Sequence, residues 1–241
     1  GAFIDLAEHP EYMSRITLKQ VIYSQPADSD MTDGNQPFRL DWMPNALAKM
    51  NISKTVKAHP GQVFYFADLK LTVLGSHDLV KPDKITSHNN ASVVSMVEFG
   101  GKKMLFLADS EKALNPKLDN IYGAALDADI LQVAHHGYGN TNTDYASGND
   151  QNAINVMASG GVTAAGQSQT YALIPVGLAN GKSPAGYYDA VGHMGALKIF
   201  NNDHRLVATD KNLTIKFNTN GSYTIDKVKH SSGFWIGTWT T

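Results

Sequence analysis

The sequence predicts a mixed α/β sandwich. Strand-like and helix-like segments intermix along the chain, several neighbouring strands read as hairpins, and short apolar strands stop abruptly at polar residues. Residues 2–14 place Phe3, Ile4, Leu6, Ala7, Tyr12 and Met13 at roughly helical spacing. Two strand-like runs follow at 15–18 and 20–23. Residues 26–37 are polar and turn-rich and read as a loop, and 38–50 read as a helix. Residues 62–66 and 69–74 predict a hairpin about Ala67-Asp68. Residues 92–99 and 103–108 predict a second, with Gly100-Gly101 supplying the positive φ of a tight turn. Residues 130–134 read as a short buried strand. Residues 138–170, rich in Asn, Gly, Ser and Thr, read as a long loop, functional or mobile, in which Tyr138 and Tyr145 are either plain surface tyrosines, the simpler reading, or candidate substrate contacts. Residues 170–176 predict a strand and 184–200 a helix with Pro184 in its first turn. Segments 206–209, 213–218 and 222–229 close the chain as β structure.

Composition narrows the function. The chain has 241 residues with 42% hydrophobic and 17% charged, enough to bury a core and too apolar for wholesale disorder. Lys and Arg number 20 against 22 Asp and Glu, a net charge of −2. That balance offers no basic field for nucleic acid and no polybasic membrane anchor. There are no cysteines, which excludes disulfides, thiolate nucleophiles and sulfur-ligated zinc. No apolar run approaches the length of a membrane span. The lack of cysteine leans toward an extracytoplasmic or secreted protein, although a cytoplasmic one fits too. We expect one domain over 1–241, with the aromatic stretch 230–241 either packing on the body or beginning a further module.

The chemistry concentrates at two strand ends. The apolar run 104–108 stops at Asp109-Ser110-Glu111, and the run 130–134 stops at His135-His136-Gly137. A carboxylate and imidazoles at the tips of adjacent strands suit a metal site, because strands fix ligand geometry while the loops leave room for water. Nitrogen and oxygen donors without sulfur suit zinc, with manganese or iron as alternatives. His88, just before the hairpin that leads to Asp109, is a third candidate. The plain alternatives are a helix-capping Asp109, a structural histidine pair and an exposed His88. His193 reads as structural on its helix, and His77-Asp78 reads as a turn. His9, His59, His77, His204 and His230 show no ligand spacing, although Asp78 beside His77 could reach a site.

Residues 87–141 carry His-Asn-Asn-Ala-Ser-Val-Val, then Gly-Gly-Lys-Lys-Met-Leu-Phe-Leu-Ala-Asp, then Asp-Ile-Leu-Gln-Val-Ala-His-His-Gly. This pattern resembles the metallo-β-lactamase superfamily, and most of all the soluble domain of ComEC-type competence proteins and the secreted phosphorylcholine esterases. The resemblance implies an αββα sandwich with mixed sheets and a metal-dependent hydrolase acting on phosphodiesters through a metal-activated water. It implies two zinc ions, with Asp109 as bridging ligand and catalytic residue, and His135 and His88 as further ligands. His136 is implied as the catalytic neighbour that donates to a substrate oxyanion or orients His135. Ala108 stands where the family has Gly before the Asp. The superfamily's His-x-His-x-Asp-His signature is absent. The resemblance thus leads us to expect a chain that starts just after that signature and lacks the N-terminal strands. Such a fragment would be inactive alone, although its parent is an enzyme, and would self-associate or take a complementing N-terminal fragment. Other readings are a lactone, ester or β-lactam hydrolase, and a degenerate, metal-free binding or scaffold domain.

Overall fold

The computed structural model of the chain describes residues 2–32, 41–137, 151–158, 168–175, 200, 202–208, 213–229 and 235–237. The architecture is mixed α/β, as the sequence predicts. A small sheet pairs β1 (Val21–Tyr23) in parallel with β2 (Thr55–Lys57). The large sheet is mixed and holds ten strands among the described residues. Its first part is an antiparallel meander of β3 (Val63–Phe66), β4 (Leu69–Gly75), β5 (Val94–Phe99) and β6 (Lys102–Phe106). Parallel strands follow: β7 (Ile130–Gln132), β8 (Tyr171–Pro175) and β9 (Arg205–Ala208). Beyond them lie β10 (Thr214–Phe217), β11 (Tyr223–Lys229) and β12 (Trp235–Gly237), with β12 inserted between β9 and β11.

Alternation along the strands decides which face is covered. Met96, Leu105, Leu131, Ala172, Ile174 and Val207 point to one side and are buried. They pack with Leu114, with Leu118 of the helix α4 (Asn115–Tyr122), with Leu126, and with Ala153 and Met157 of the helix α5 (Gln151–Met157). Leu105 and Leu131 are fully buried, and trimming either to Ala costs about 3 kcal/mol. On the opposite face Val73, Ile130 and Leu206 are buried as well, while Val97, Met104, Phe106 and Leu173 are half-buried.

The crossover through α4 makes β6 and β7 parallel, so both strands end at the same edge of the sheet. In parallel α/β sheets that carboxyl edge is where ligands collect.

Several expectations are corrected. The helix expected over 2–14 divides into α1 (Ala2–Glu8) and α2 (Pro10–Met13), because a proline has no N–H for the helical ladder. Residues 15–18 form no strand, since no neighbouring strand pairs with them. The helix expected over 38–50 is present as α3 (Trp42–Lys49). The loop expected over 138–170 contains α5. The helix expected over 184–200 falls outside the described residues up to its last position. Within the aromatic stretch 230–241, residues 235–237 pair into the sheet as β12, where the Trp235 indole N–H donates to the Asp203 carbonyl at 2.7 Å. The second of the expected sheets has two strands among the described residues.

Candidate functional site at the ends of two parallel strands

The ends of β6 and β7 are locked together by one side chain. Gln132 Oε1 accepts the Leu107 and Ala108 N–H groups at 3.0 and 2.7 Å. Its amide nitrogen donates to the carbonyls of Ala108 and Val133 at 3.3 and 2.6 Å. These backbone groups lie just past the last ladder pair, Phe106 with Gln132, where the strand ladder no longer supplies partners. The His135 N–H adds a bond to the Ala108 carbonyl at 2.8 Å.

The same place stores backbone strain. Ala108 has φ 51°, His135 φ 46° and His136 φ 58°, all in the left-handed region that side chains with a Cβ avoid. Such conformations cost about 1–3 kcal/mol each and persist where surrounding contacts enforce them, commonly at functional sites. Here they turn the chain sharply at both strand tips and aim Asp109 and His136 at each other.

Asp109 Oδ1 stands 3.8 Å from His136 Nε2, and both side chains are about half exposed. The Asp109 N–H donates to Ser92 Oγ at 3.3 Å. His136 Nδ1 lies 2.6 Å from the Pro175 carbonyl oxygen. A carbonyl only accepts, so Nδ1 carries the ring proton. In the neutral ring the Nε2 lone pair then faces the Asp109 carboxylate. Two electron-rich groups opposed at this distance suit a cation between them. An imidazole held by a carbonyl through its other nitrogen is the usual setting of a metal-ligating histidine.

His135 has different surroundings. Its Nδ1 accepts from Asn89 Nδ2 at 3.4 Å, and the same amide nitrogen donates to Glu111 Oε1 at 3.1 Å. The Glu111 carboxylate fixes which way the Asn89 amide faces, because it presents acceptors only. Glu111 also accepts from Ser87 Oγ at 2.8 Å and Asn90 Nδ2 at 3.4 Å, and thereby clamps the 3₁₀ turn His88–Ala91 against the end of β6. His88 is the first residue of that turn. The structure therefore brings Asp109 to His136 and His135 to the turn that bears His88. Among the described residues no three His, Asp or Glu side chains stand close enough together to hold a metal ion. Donor chemistry at Asp109 and His136 fits part of a metal's ligand set, and the described residues do not complete it. Tyr138, Tyr145 and His193 lie outside the described residues. The roles of Gln132 and Asn89 escaped the sequence reading, because amide clamps leave no spacing signature.

No family model and no curated protein matches the chain. Among solved structures, a mutant CmlA beta-hydroxylase is similar at 12% identity and a TM-score of 0.29, over 68% of this chain. The chain spans 27% of the length of that hydroxylase, and a likeness of this size does not bear on the site. Among the described residues no helix is long and apolar enough to cross a membrane.

Proposed function

We propose that the chain contributes one part of the centre of a metal-dependent hydrolase, with a phosphodiester as the substrate class. The supporting observation is the opposition of Asp109 and His136: a carboxylate facing an imidazole nitrogen whose ring proton is tied to Pro175. In this reading Asp109 and His136 are the ligands, and the remaining donors come from outside the described residues. His135, fixed by Asn89 and Glu111, presents its protonated edge and donates to substrate. This exchanges the parts that the family resemblance implies for the two histidines. A bound zinc ion would supply an activated water and stabilise charge on the substrate oxygen.

Titration with zinc chloride, followed calorimetrically, tests the reading. We expect at most one weakly held ion per chain, and loss of that binding in both Asp109→Ala and His136→Ala. We expect bis-p-nitrophenyl phosphate to be cleaved only when the missing donors are restored, and not at all in Asp109→Ala. Zinc binding unchanged in both variants sinks the proposal. A second reading, a metal-free scaffold, is favoured by the absence of a three-donor cluster among the described residues. It requires that zinc heat be indistinguishable from buffer in the parent chain.

A further inference from the structure

A second polar centre joins the two sheets, and no part of the metal reading uses it. Ser24 follows β1 directly, and Ser76, His77 and Asp78 follow β4. The structure places the Ser24 hydroxyl 2.9 Å from His77 Nδ1. On the other side of the ring, His77 Nε2 stands 3.3 Å from Asp78 Oδ1. The His77 backbone N–H donates to Ser24 Oγ at 3.2 Å.

The protonation pattern follows from these partners. A carboxylate only accepts, so the ring proton sits on Nε2, facing Asp78. Nδ1 then holds the lone pair, and the Ser24 hydroxyl must donate to it. Hydroxyl and imidazole are thus joined by a hydrogen bond, and the carboxylate stands beside the far ring nitrogen as a charge contact at 3.3 Å. This is the arrangement that activates a serine, reached here with the two ring nitrogens in exchanged positions. Burial pushes the His77 imidazole below its ordinary range against the opposing pull of Asp78, so the ring is neutral at pH 7 and its Nδ1 lone pair is free to accept. Asp78 is held in place by His59 and Lys81, the latter at 3.3 Å. His77 is 5% exposed, whereas Ser24 is half-buried and His59 largely open to water.

We propose that Ser24, His77 and Asp78 form a nucleophilic relay that accepts the acyl group of a small carboxylic ester. The Ser24 oxygen forms a bond to the acyl carbon while its proton passes to His77 Nδ1. The carbon–oxygen bond of the ester then breaks, and the departing alcohol takes that proton. Water, deprotonated by the same ring nitrogen, releases the acid and restores the hydroxyl. No metal takes part, so this activity is separate from the one proposed for Asp109 and His136.

A fluorophosphonate probe tests the relay directly, because Ser24 Oγ would bond to phosphorus as fluoride leaves. The intact chain is treated at pH 8 in the presence of EDTA, and the adduct is mapped by peptide mass spectrometry. We expect one adduct, on Ser24, absent in Ser24→Ala and formed at least about tenfold more slowly in Asp78→Asn, the scale of losing one member of such a relay. The labelling rate should fall as pH drops through the His77 range, with Asp78, His59, Lys81 and Lys57 as the charged or titratable groups acting on that ring. Since Ser24→Ala can disturb folding, Ser24→Cys gives an independent readout: iodoacetamide should modify the introduced thiol at least about tenfold faster at pH 6.5 than it modifies free cysteine, the scale of general-base assistance. No label on Ser24 in the folded parent, label persisting in Ser24→Ala, an unchanged rate in Asp78→Asn, or an ordinary thiol rate in Ser24→Cys would each overturn the proposal.

Discussion

The two polar centres sit at comparable places, each at the ends of two strands, yet they are built in opposite ways. At the end of β6 and β7 the backbone does the positioning. Three left-handed corners and the Gln132 clamp aim Asp109 and His136, whose side chains are half exposed and hold little else together. At the end of β1 and β4 side chain holds side chain, with none of Ser24, His77 or Asp78 in the left-handed region. There the working atoms are themselves the joint between the sheets. The first design should therefore tolerate changes at its reactive atoms and suffer from changes to its scaffold. In the second, function and stability should be lost together.

The largest expected effect breaks the first centre through its scaffold. Gln132→Ala removes four hydrogen bonds and strands the N–H groups of Leu107 and Ala108 past the end of the ladder. Water reaching the half-buried site will satisfy part of that loss, which leaves a cost of about 2 kcal/mol. For a chain of this size that is a fall of roughly 4–8 °C in Tm, read by thermal melting. Asp109→Ala should leave Tm within about 2 °C, since surface substitutions stay inside about 0.5 kcal/mol. Equal losses in the two variants would erase the contrast between scaffold and reactive atoms.

A smaller effect sharpens the other half of the comparison. The folded His77 titrates below the ordinary imidazole range of about 6.5, because burial disfavours its charged form. Between that ordinary value and the lower folded one, the unfolded chain binds a proton that the folded chain does not. Stability is therefore complete above about pH 6.5 and declines as pH falls through this window. Asp78 acts in the same direction at lower pH. Burial alone would raise its pKa, but hydrogen bonds from His59 and Lys81 and the charge of His77 outweigh it and hold the carboxyl low. Its contribution is thus present above about pH 3.9 and lost below. Chemical denaturation at pH 7.5, 6.0 and 5.0 should show the decline, and His77→Gln should flatten its upper part. An identical slope in the variant would move the titration elsewhere.

Legibility in the sequence followed the same divide. The meander β3 to β6, the buried strand β7 and the tips carrying Asp109 and His135-His136 were readable, because apolar alternation and a chemically loaded stop are local signals. The helix α4 was missed because its capping Pro116 and modest apolar face resemble a loop. β2 and β12 were missed because three-residue strands carry no period and exist only through their partners. Ser24 and His77 are 53 positions apart, and nothing local announces a pair that only the tertiary fold brings together after β1 and after β4. Glu111 was visible as a polar stop, yet its work on Asn89 and His135 depends on the turn His88–Ala91 folding back over the end of β6.

The smallest expected effect tests whether the corners at the first centre are strained. Ala108 has φ 51°, where a Cβ crowds the neighbouring carbonyl and glycine does not. Ala108→Gly keeps every hydrogen bond at this point, since Gln132 and His135 meet only the Ala108 backbone. Relief of strain is worth about 1 kcal/mol, and the extra freedom of glycine in the unfolded chain takes part of it back. The net gain should be about 0.5 kcal/mol, a rise of roughly 1–2 °C in Tm, where most Ala→Gly changes destabilise. The sign is what matters. A loss of stability would mean that Ala108 is at ease in its corner, and that the geometry bringing Asp109 to His136 is imposed by the Gln132 clamp alone.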